Sequence, residues 1–525
     1  MHTTSSVCPR DCYDTCFIEV AVEGGAIRSV RPDPLNPLTG NFLCARGVAE
    51  HIHIYRNRVL YPHISGGGKP SNSFKRVSWD EALNQIVERL REVLNRYGPE
   101  KVLHIEYAGN MGLLTWYLPQ RLWNIIGAAK TDYSICSRSG HEAIALHYGL
   151  SYGVLPEEIS HMKLIILWGF NAAVSAPHLW RQAVKARENG GTIAVIDPRR
   201  CESANYADIW ISVRPGTDAW LAYGIAKVLI ERNLIDRGFI ERYTYGFDRF
   251  AEEAASYSLD QVSSITGVDK KEIELLAELY ASKKPSVIMI GLGMQKSLNG
   301  AEAVRIISLL PALVGIHRGF FYSNSRGFYI DIAYLTGEKT LGRRVKVVSQ
   351  VSLAKAVAEG EFKFIYIYNM NPLLTLPGQR MLREGLSRED VFVVTHTPHW
   401  NETCLYSDVV LPAPTYLEKD DVVIPYSHSY IRVSRKAVEP LGESRDELWV
   451  MREMARRLGV EDPLLYEDPF EALQKALEGA LEGSFEELLS GRVVRLRYRA
   501  RDEYQTPSGR IEFYSLKAVE KRLNP

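Results

Sequence analysis

No run of 18 or more apolar residues occurs in this 525-residue chain, so nothing in it has the length and character of a membrane-crossing helix. The most apolar stretches, 285–294 and 306–314, are short and carry Gly or Pro. An excess of either charge is also missing. Lys+Arg and Asp+Glu both number 63, and the formal net charge is zero. Such a balance gives no global hold on nucleic acid or an anionic membrane and leaves only a local basic patch to serve one. Low-complexity tracts are absent, and no internal repeat is legible. With 46% hydrophobic and 24% charged residues, the composition is that of an ordinary globular protein, which excludes disorder and a fibrous repeat. Cysteine is scarce: seven residues make no disulfide framework. The seven residues before Cys8 contain no charged n-region, apolar h-region or twin arginine. The expected location is the cytoplasm.

What is present is a mixed α/β pattern, long enough for three or four domains at about 150 residues each. Gly66 to Pro70 is a Gly-rich loop, after which Ser78-Trp79-Asp80-Glu81 reads as a capping box. Leu83, Ile86, Val87, Leu90, Val93 and Leu94 lie on one face of the helix it opens, and Gly98-Pro99 ends it. Short apolar runs read as buried strands: 164–167, 192–196, 286–290, 364–368 and 391–394. Amphipathic helices such as 218–232 and 270–282 separate many of them, which predicts βαβ units and parallel sheets. Each strand runs into a polar or Gly-containing loop, and ligands of such sheets bind at those strand ends. More than one nucleotide-like site is therefore expected, although any single loop also reads as a plain turn.

The few cysteines are unevenly placed. Cys8, Cys12 and Cys16 are followed by Cys44, whereas Cys136, Cys201 and Cys404 lie far apart. Four thiolates suit zinc or an iron–sulfur cluster. Structural zinc sites usually pair two short-spaced knuckles; three plus one favours a [4Fe–4S] cluster, with zinc as the alternative.

Cys8-Pro9-Arg10-Asp11-Cys12-Tyr13-Asp14-Thr15-Cys16 and Gly40-Asn41-Phe42-Leu43-Cys44-Ala45-Arg46-Gly47 resemble the opening of the molybdopterin oxidoreductase family. The resemblance continues through Trp168-Gly169-Phe170-Asn171, Asp197-Pro198-Arg199, Ala207-Asp208 and Arg214-Pro215-Gly216-Thr217-Asp218. It extends through Gly291-Leu292-Gly293, Asn369-Met370-Asn371-Pro372, Ser407 to Pro412, and Thr506 to Phe513. No one of these is specific; their order is. The resemblance implies a bis-molybdopterin guanine dinucleotide cofactor with Mo or W, contacted by Trp168, Gly169, Asn171, Asp197, Arg199, Pro215, Gly216, Asp218, Gly291, Gly293 and Asn371. From the residues alone Asp218 is the cap of a helix starting at Ala219; the resemblance makes it a nucleotide contact. Arg46 stands where such enzymes commonly carry Lys between cluster and pterin, and it is expected to serve catalysis and cofactor binding with a differently shaped cation. The metal ligand falls in Ser134 to His141. Cys136 is the softest donor there, with Ser137 and Ser139 as rivals. His141 reads as a proton carrier or as a capping or packing histidine. Cys201 and Cys404 read as inert buried thiols, and His396, His399 and His428 as lone histidines beside a substrate funnel or within the core.

The expected fold class is α/β, with a [4Fe–4S] domain plus two Rossmann-like parallel-sheet domains, discontinuous in sequence. The cluster domain would be 1–60, completed by about 411–525. One pterin-binding α/β domain would be 61–132 with 345–410, and the other 133–344. The implied function is two-electron redox of a small-molecule substrate, with electrons relayed through the cluster to an electron-transfer subunit or ferredoxin. Sulfur-oxyanion or polysulfide reduction is favoured. Formate-dehydrogenase-like enzymes usually place His directly after the ligand, and here Ser137 follows. A formylmethanofuran-dehydrogenase-like subunit and a non-catalytic electron-transfer or structural subunit are the other readings. The resembling enzymes continue beyond the Thr506-Pro507-Ser508-Gly509-Arg510 segment, so a separate small subunit covering the pterin is also expected, with truncation as its rival.

Overall fold

The structure, a computed structural model, describes residues 1–342, 344–523 and 525. The protein is α/β and divides into two compact units. The first comprises Met1–Ile135, Tyr329–Ile424 and Tyr430–Leu496, and the second Cys136–Phe328, Pro425–Ser429 and Arg497–Pro525. Among the described residues no helix is long and apolar enough to cross a membrane.

The first unit opens with an antiparallel meander of His2–Val7, Phe17–Glu23 and Ala26–Pro32. Gly24 and Gly25, at φ +59° and +76°, make the tight turn between its last two strands, a conformation that glycine adopts without strain. The unit's main sheet has eight strands in the order Val347–Val348, Ala129–Thr131, Val102–Ile105, Phe364–Tyr368, Phe392–Thr397, Val409–Pro412, His63–Ser65 and Phe74–Arg76. The first six are parallel, and the last two are added antiparallel. Helix Trp79–Tyr97 covers one face. Ser78 and Glu81 form the capping box, and Leu83, Ile86, Val87, Leu90 and Val93 are buried.

The second unit holds five parallel strands in the order Ile209–Ile211, Thr192–Ile196, Leu164–Trp168, Ser286–Ile290 and Phe320–Phe321. Runs such as Leu-Ile-Ile-Leu-Trp are apolar throughout because helices cover both faces of a parallel sheet. Leu164, Ile166 and Trp168 share a core with helices Asp218–Glu231 and Gly300–Leu313.

These two sheets repeat one plan, which overturns the expectation of no internal repeat. In the second unit Leu164–Trp168 has Thr192–Ile196 and Ile209–Ile211 on one side and Ser286–Ile290 on the other. In the first, Phe364–Tyr368 has Phe392–Thr397 and Val409–Pro412 on one side and Val102–Ile105 on the other. The supporting hydrogen bonds match too. Asn171 Oδ1 accepts from Ser203 Oγ (3.0 Å), and Asn371 Oδ1 from Thr403 Oγ1 (2.6 Å). Asp208 Oδ2 accepts from Ile193 N (2.9 Å), and Asp408 Oδ2 from Val393 N (2.7 Å). Ser175 and Thr375 each donate to the carbonyl four residues back at 2.9 Å. Each pair lies two hundred residues apart.

In both sheets the strand order reverses beside the central strand, the place where open α/β sheets bind ligands. At each reversal a glycine lies against the backbone of the neighbouring loop. A Cβ on Gly291 would stand 1.9 Å from the Gly169 carbonyl oxygen, and one on Gly109 2.4 Å from that of Asn369. Gly291→Ala is therefore expected to destabilise the second unit by about 1–3 kcal/mol through overpacking. Gly293 has open space around it and helical φ and ψ, so Gly293→Ala should leave the thermal transition in place. Differential scanning calorimetry of both variants checks the contrast.

Candidate functional site

Three of the N-terminal cysteines sit in the loop between strands His2–Val7 and Phe17–Glu23, closed at its base by Cys8 N–H donating to Cys16 O at 2.9 Å. Thr15, at φ +40°, turns the chain back within it. Cys44 caps the short helix Ala45–Val48. None of the four is in a disulfide, and their thiols act on one another. Burial first, then Asp14 and the other three thiols, pushes Cys16 well above its ordinary pKa. Burial likewise raises Cys8 to about 11 and Cys12 to about 12. The opposing influences are local: the Arg10 backbone N–H and guanidinium on Cys8, and the Asp14 backbone N–H and Arg46 charge on Cys12. Four crowded, half- to fully buried thiols with donors aimed at two sulfurs make a donor set that fits an iron–sulfur cluster, whose binding removes the protons.

Arg10 also lines a cavity of about 240 Å³ within the first unit, beside that cysteine loop. The cavity reaches Asn369 and Asn371 after strand Phe364–Tyr368, and His399 after Phe392–Thr397. Glu50, paired with Arg10, and Lys419, 2.6 Å from Glu447, complete its charged lining. It thus lies at the carboxyl ends of parallel strands. His399 holds the Arg56 carbonyl through Nδ1 at 2.8 Å, and burial lowers its pKa. His396 instead points into the core and meets the Arg445 carbonyl at 2.9 Å. His428 is buried, as are Cys201 and Cys404.

In the second unit Trp168 is wholly buried, and its indole N–H donates to Asp218 Oδ1 at 2.9 Å. Its part is to fix that carboxylate. The helix starts at Asp218 itself, with Thr217 as N-cap, one residue earlier than the sequence predicts. Burial raises the Asp218 pKa, the Trp168 bond opposes this, and the nearby Asp197 charge adds to the rise. Asp197 holds the turn after its strand, accepting from Arg199 N at 2.9 Å. Asn171 and Arg199 both reach Glu202, at 2.6 and 3.3 Å. Pro215 leads into Gly216, at φ +81° with open space beside it, as there is beside Gly293. Gly169 and Gly291 make the reversal-point contact. Two carboxylates and open glycine backbone can receive sugar hydroxyls, a base edge or phosphate, so the residues fit a dinucleotide.

Cys136 is half-buried, two residues before helix Arg138–Tyr148. Tyr322 lies near enough to feel its charge, and Gln295 joins Tyr322 to the helix start. Gln295 Oε1 accepts from Gly140 N at 2.6 Å and from Tyr322 Oη at 2.7 Å. Burial, and after it the Cys136 thiol, pushes the Tyr322 pKa up, so this phenol keeps its proton. Ser137 is the helix N-cap but makes no capping hydrogen bond. His141 is buried edge-on against Tyr322, with ring centroids 5.2 Å apart. Burial, with Arg326 next, lowers its pKa to about 3. Arg46 is exposed and touches the cysteine centre by charge.

Sequence reasoning missed Gln295, Tyr322, Arg10 and Lys419. Gln295 was within reach, since it follows Gly291-Leu292-Gly293 closely. Tyr322 and Lys419 arrive from distant segments, and nothing local marks them.

Residues 58–457 match the family described as Molybdopterin oxidoreductase, and residues 1–56 match the Molybdopterin oxidoreductase Fe4S4 domain. The chain is 33% identical to Probable oxidoreductase YoaE of Bacillus subtilis (strain 168), over 98% of this chain and 78% of that protein. It is 28% identical to Formate dehydrogenase H of Escherichia coli (strain K12), over 87% and 68%. The solved structure of Acetylene Hydratase from Pelobacter acetylenicus has the same fold, with a TM-score of 0.86 at 24% identity over 99% of this chain and 78% of that one. The Fe4S4 match spans all four N-terminal cysteines and sets zinc aside. The chain therefore belongs to the molybdopterin oxidoreductase family, enzymes whose cofactors are a molybdenum or tungsten pterin and, with this N-terminal domain, a [4Fe–4S] cluster.

Proposed function

We propose that this oxidoreductase carries out two-electron reduction of a small sulfur oxyanion or polysulfide, with Cys136 as the protein ligand to molybdenum or tungsten. The observation that carries this reading is Cys136 itself: a soft donor, half-exposed, near enough to Tyr322 to act on its phenol and followed by Ser137 rather than His. When bound, the metal pterin supplies two-electron chemistry and the cluster one-electron transfer, which side chains cannot. Cys8, Cys12, Cys16 and Cys44 would hold the cluster, with Arg10 and Arg46 offsetting its negative charge. Asp197 and Asp218 would accept from one nucleotide, with Gly169, Gly291, Gly293 and Pro215-Gly216 admitting its backbone-side approach and Asn171 and Arg199 bracing the loop. Asn371 would stand beside the other nucleotide. Tyr322 donates its hydroxyl to Gln295 Oε1, the same oxygen that receives the Gly140 N–H, and so braces the start of the helix through Gln295. His141 is neutral near pH 7 and packs against Tyr322. A second reading, formate oxidation, draws on the similarity to Formate dehydrogenase H.

Anaerobically purified protein is expected to contain about four irons and matching sulfide per chain; one zinc and no iron would remove the cluster assignment. Cys136→Ala should abolish turnover, leave the cluster's electron paramagnetic resonance unchanged and take one sulfur from the metal's X-ray absorption shell. An unchanged shell would move the ligand role to Ser137 or Ser139. A viologen-coupled screen decides the substrate: faster formate oxidation than polysulfide or thiosulfate reduction would favour the second reading. For His141 the folded pKa of about 3 lies below the unfolded value near 6.5. Its contribution to stability is complete above about pH 6.5 and falls as the pH drops toward about 3, by up to about 1.4 kcal/mol per pH unit. His141→Gln should flatten that slope in acid melts and leave the neutral limb of the pH–rate profile unmoved.

A further inference from the structure

Segment 24–58, which carries Cys44, sorts its charges by sign. It has two carboxylates, Asp33 and Glu50. Both are buried in ion pairs, Asp33 with Arg432 and Glu50 with Arg10. Arg58 is buried as well, 2.8 Å from Glu418. The charges left facing solvent are Arg28, Arg31, Arg46 and Arg56. Arg28 reaches Glu23 at 3.1 Å; Arg31, Arg46 and Arg56 meet no carboxylate in an ion pair among the described residues. The same surface exposes large apolar side chains. Val48 is 51% exposed, Ile52 44% and Tyr55 37%, on or just after the helical turns Ala45–Val48 and Glu50–His53. Those turns pack against strand Ala26–Pro32, which bears Arg28 and Arg31. The Tyr55 hydroxyl accepts from Ile27 N at 2.9 Å, so apolar turns and arginine strand form one face.

A contiguous exposed apolar patch on a protein marks an interaction site. Here a small apolar centre lies beside three arginines that have no carboxylate partner among the described residues, with Arg28 paired to Glu23 next to them; such a cationic excess gives on-rate and orientation rather than tight binding, the pattern of transient electron-transfer encounters. Cys44 is the residue from which the first of these turns starts. We propose that this face docks a one-electron carrier protein whose own docking surface is acidic; the assignment rests on reading Cys8, Cys12, Cys16 and Cys44 as a cluster site. One electron crosses per encounter. The partner that loses it is oxidised by one unit, the other is reduced by one unit, and no bond is made. Two such encounters balance each two-electron turnover.

Anaerobic holoprotein, Arg31→Glu/Arg56→Glu and Ile52→Ser would first be assayed for iron, sulfide and the cluster's resonance signal, then titrated with an acidic [2Fe–2S] ferredoxin and with basic cytochrome c. The wild type should bind ferredoxin and not cytochrome c at low salt, and the affinity should fall by about tenfold or more as salt shortens the Debye length. The double charge reversal should weaken low-salt binding by about tenfold or more and remove most of the salt dependence. Ile52→Ser should weaken binding several-fold and keep the salt slope. A wild type without a [4Fe–4S] cluster would overturn the cluster reading and the docking face with it. An intact cluster, with ferredoxin binding absent, insensitive to the charge reversal or no stronger than that of cytochrome c, would overturn the docking face alone.

Discussion

A glycine laid on a neighbouring carbonyl where each parallel sheet reverses its strand order is the constraint on which both strand-end loop arrangements depend. Without a Cβ, Gly291 lets the loop after Ser286–Ile290 settle on Gly169, and Gly109 does the same on Asn369. Gly169 and Asn369 both sit at positive φ, +58° and +55°. Their carbonyl oxygens lie against the facing glycine. A larger residue would part the two loops, and the parting would carry Asn171 or Asn371 off its Ser or Thr donor. The polar loops are fixed because the backbone beneath them has one arrangement that packs.

Much of this was legible in the sequence. Thr192–Ile196, Ser286–Ile290 and Phe364–Tyr368 have the predicted bounds, and so does helix 270–282. Buried parallel strands are unbroken apolar runs, and their ends coincide with the first polar or glycine residue. The Ser78 box and Gly98 stop mark helix Trp79–Tyr97 for the same local reason. The duplication was not legible, for two physical reasons. It is kept in hydrogen-bond role more than in residue identity: Asn171 and Asn371 match, as do Asp208 and Asp408, but Ser203 and Thr403 share only a hydroxyl, and Trp168-Gly169-Phe170-Asn171 and Tyr368-Asn369-Met370-Asn371 share only the asparagine. It is also permuted. Strands Val102–Ile105 and Ala129–Thr131 precede their partners in the first unit, whereas Ser286–Ile290 and Phe320–Phe321 follow theirs in the second. A linear comparison meets the two halves in different order.

The site residues divide along a similar line. Cys8, Cys12, Cys16 and Cys44 could be picked out because a metal's donor set leaves a spacing in the sequence. Trp168 could be picked out too, yet its role could not. The position reads as a ligand contact, but in the fold the ring belongs to the core and acts on the loop through one indole N–H to Asp218. Roles that pass through a second residue need the partner's position, and Asp218 lies fifty residues downstream. Tyr322 and Gln295 are hidden for the same reason. Their importance comes from converging on Gly140, where a Cβ would stand 2.2 Å from the Tyr322 hydroxyl.

Net charge is the coarsest quantity read from a sequence, and here it hides the relevant asymmetry. A chain with as many acids as bases has no global field to attract an anionic partner. Folding nevertheless turns both carboxylates of segment 24–58 inward, where Arg432 and Arg10 neutralise them, and leaves arginines outside. Burying an acid in an ion pair removes its field from solvent without changing the count, so a neutral sequence can present a cationic face. The same inward turn places Glu50 and Arg10 beside Cys8, where both enter its electrostatics. The ion pair that strips the surface of its carboxylate is thus also part of the environment of the cysteine centre. Cation at the surface and compensated charge at the sulfurs follow from one packing decision.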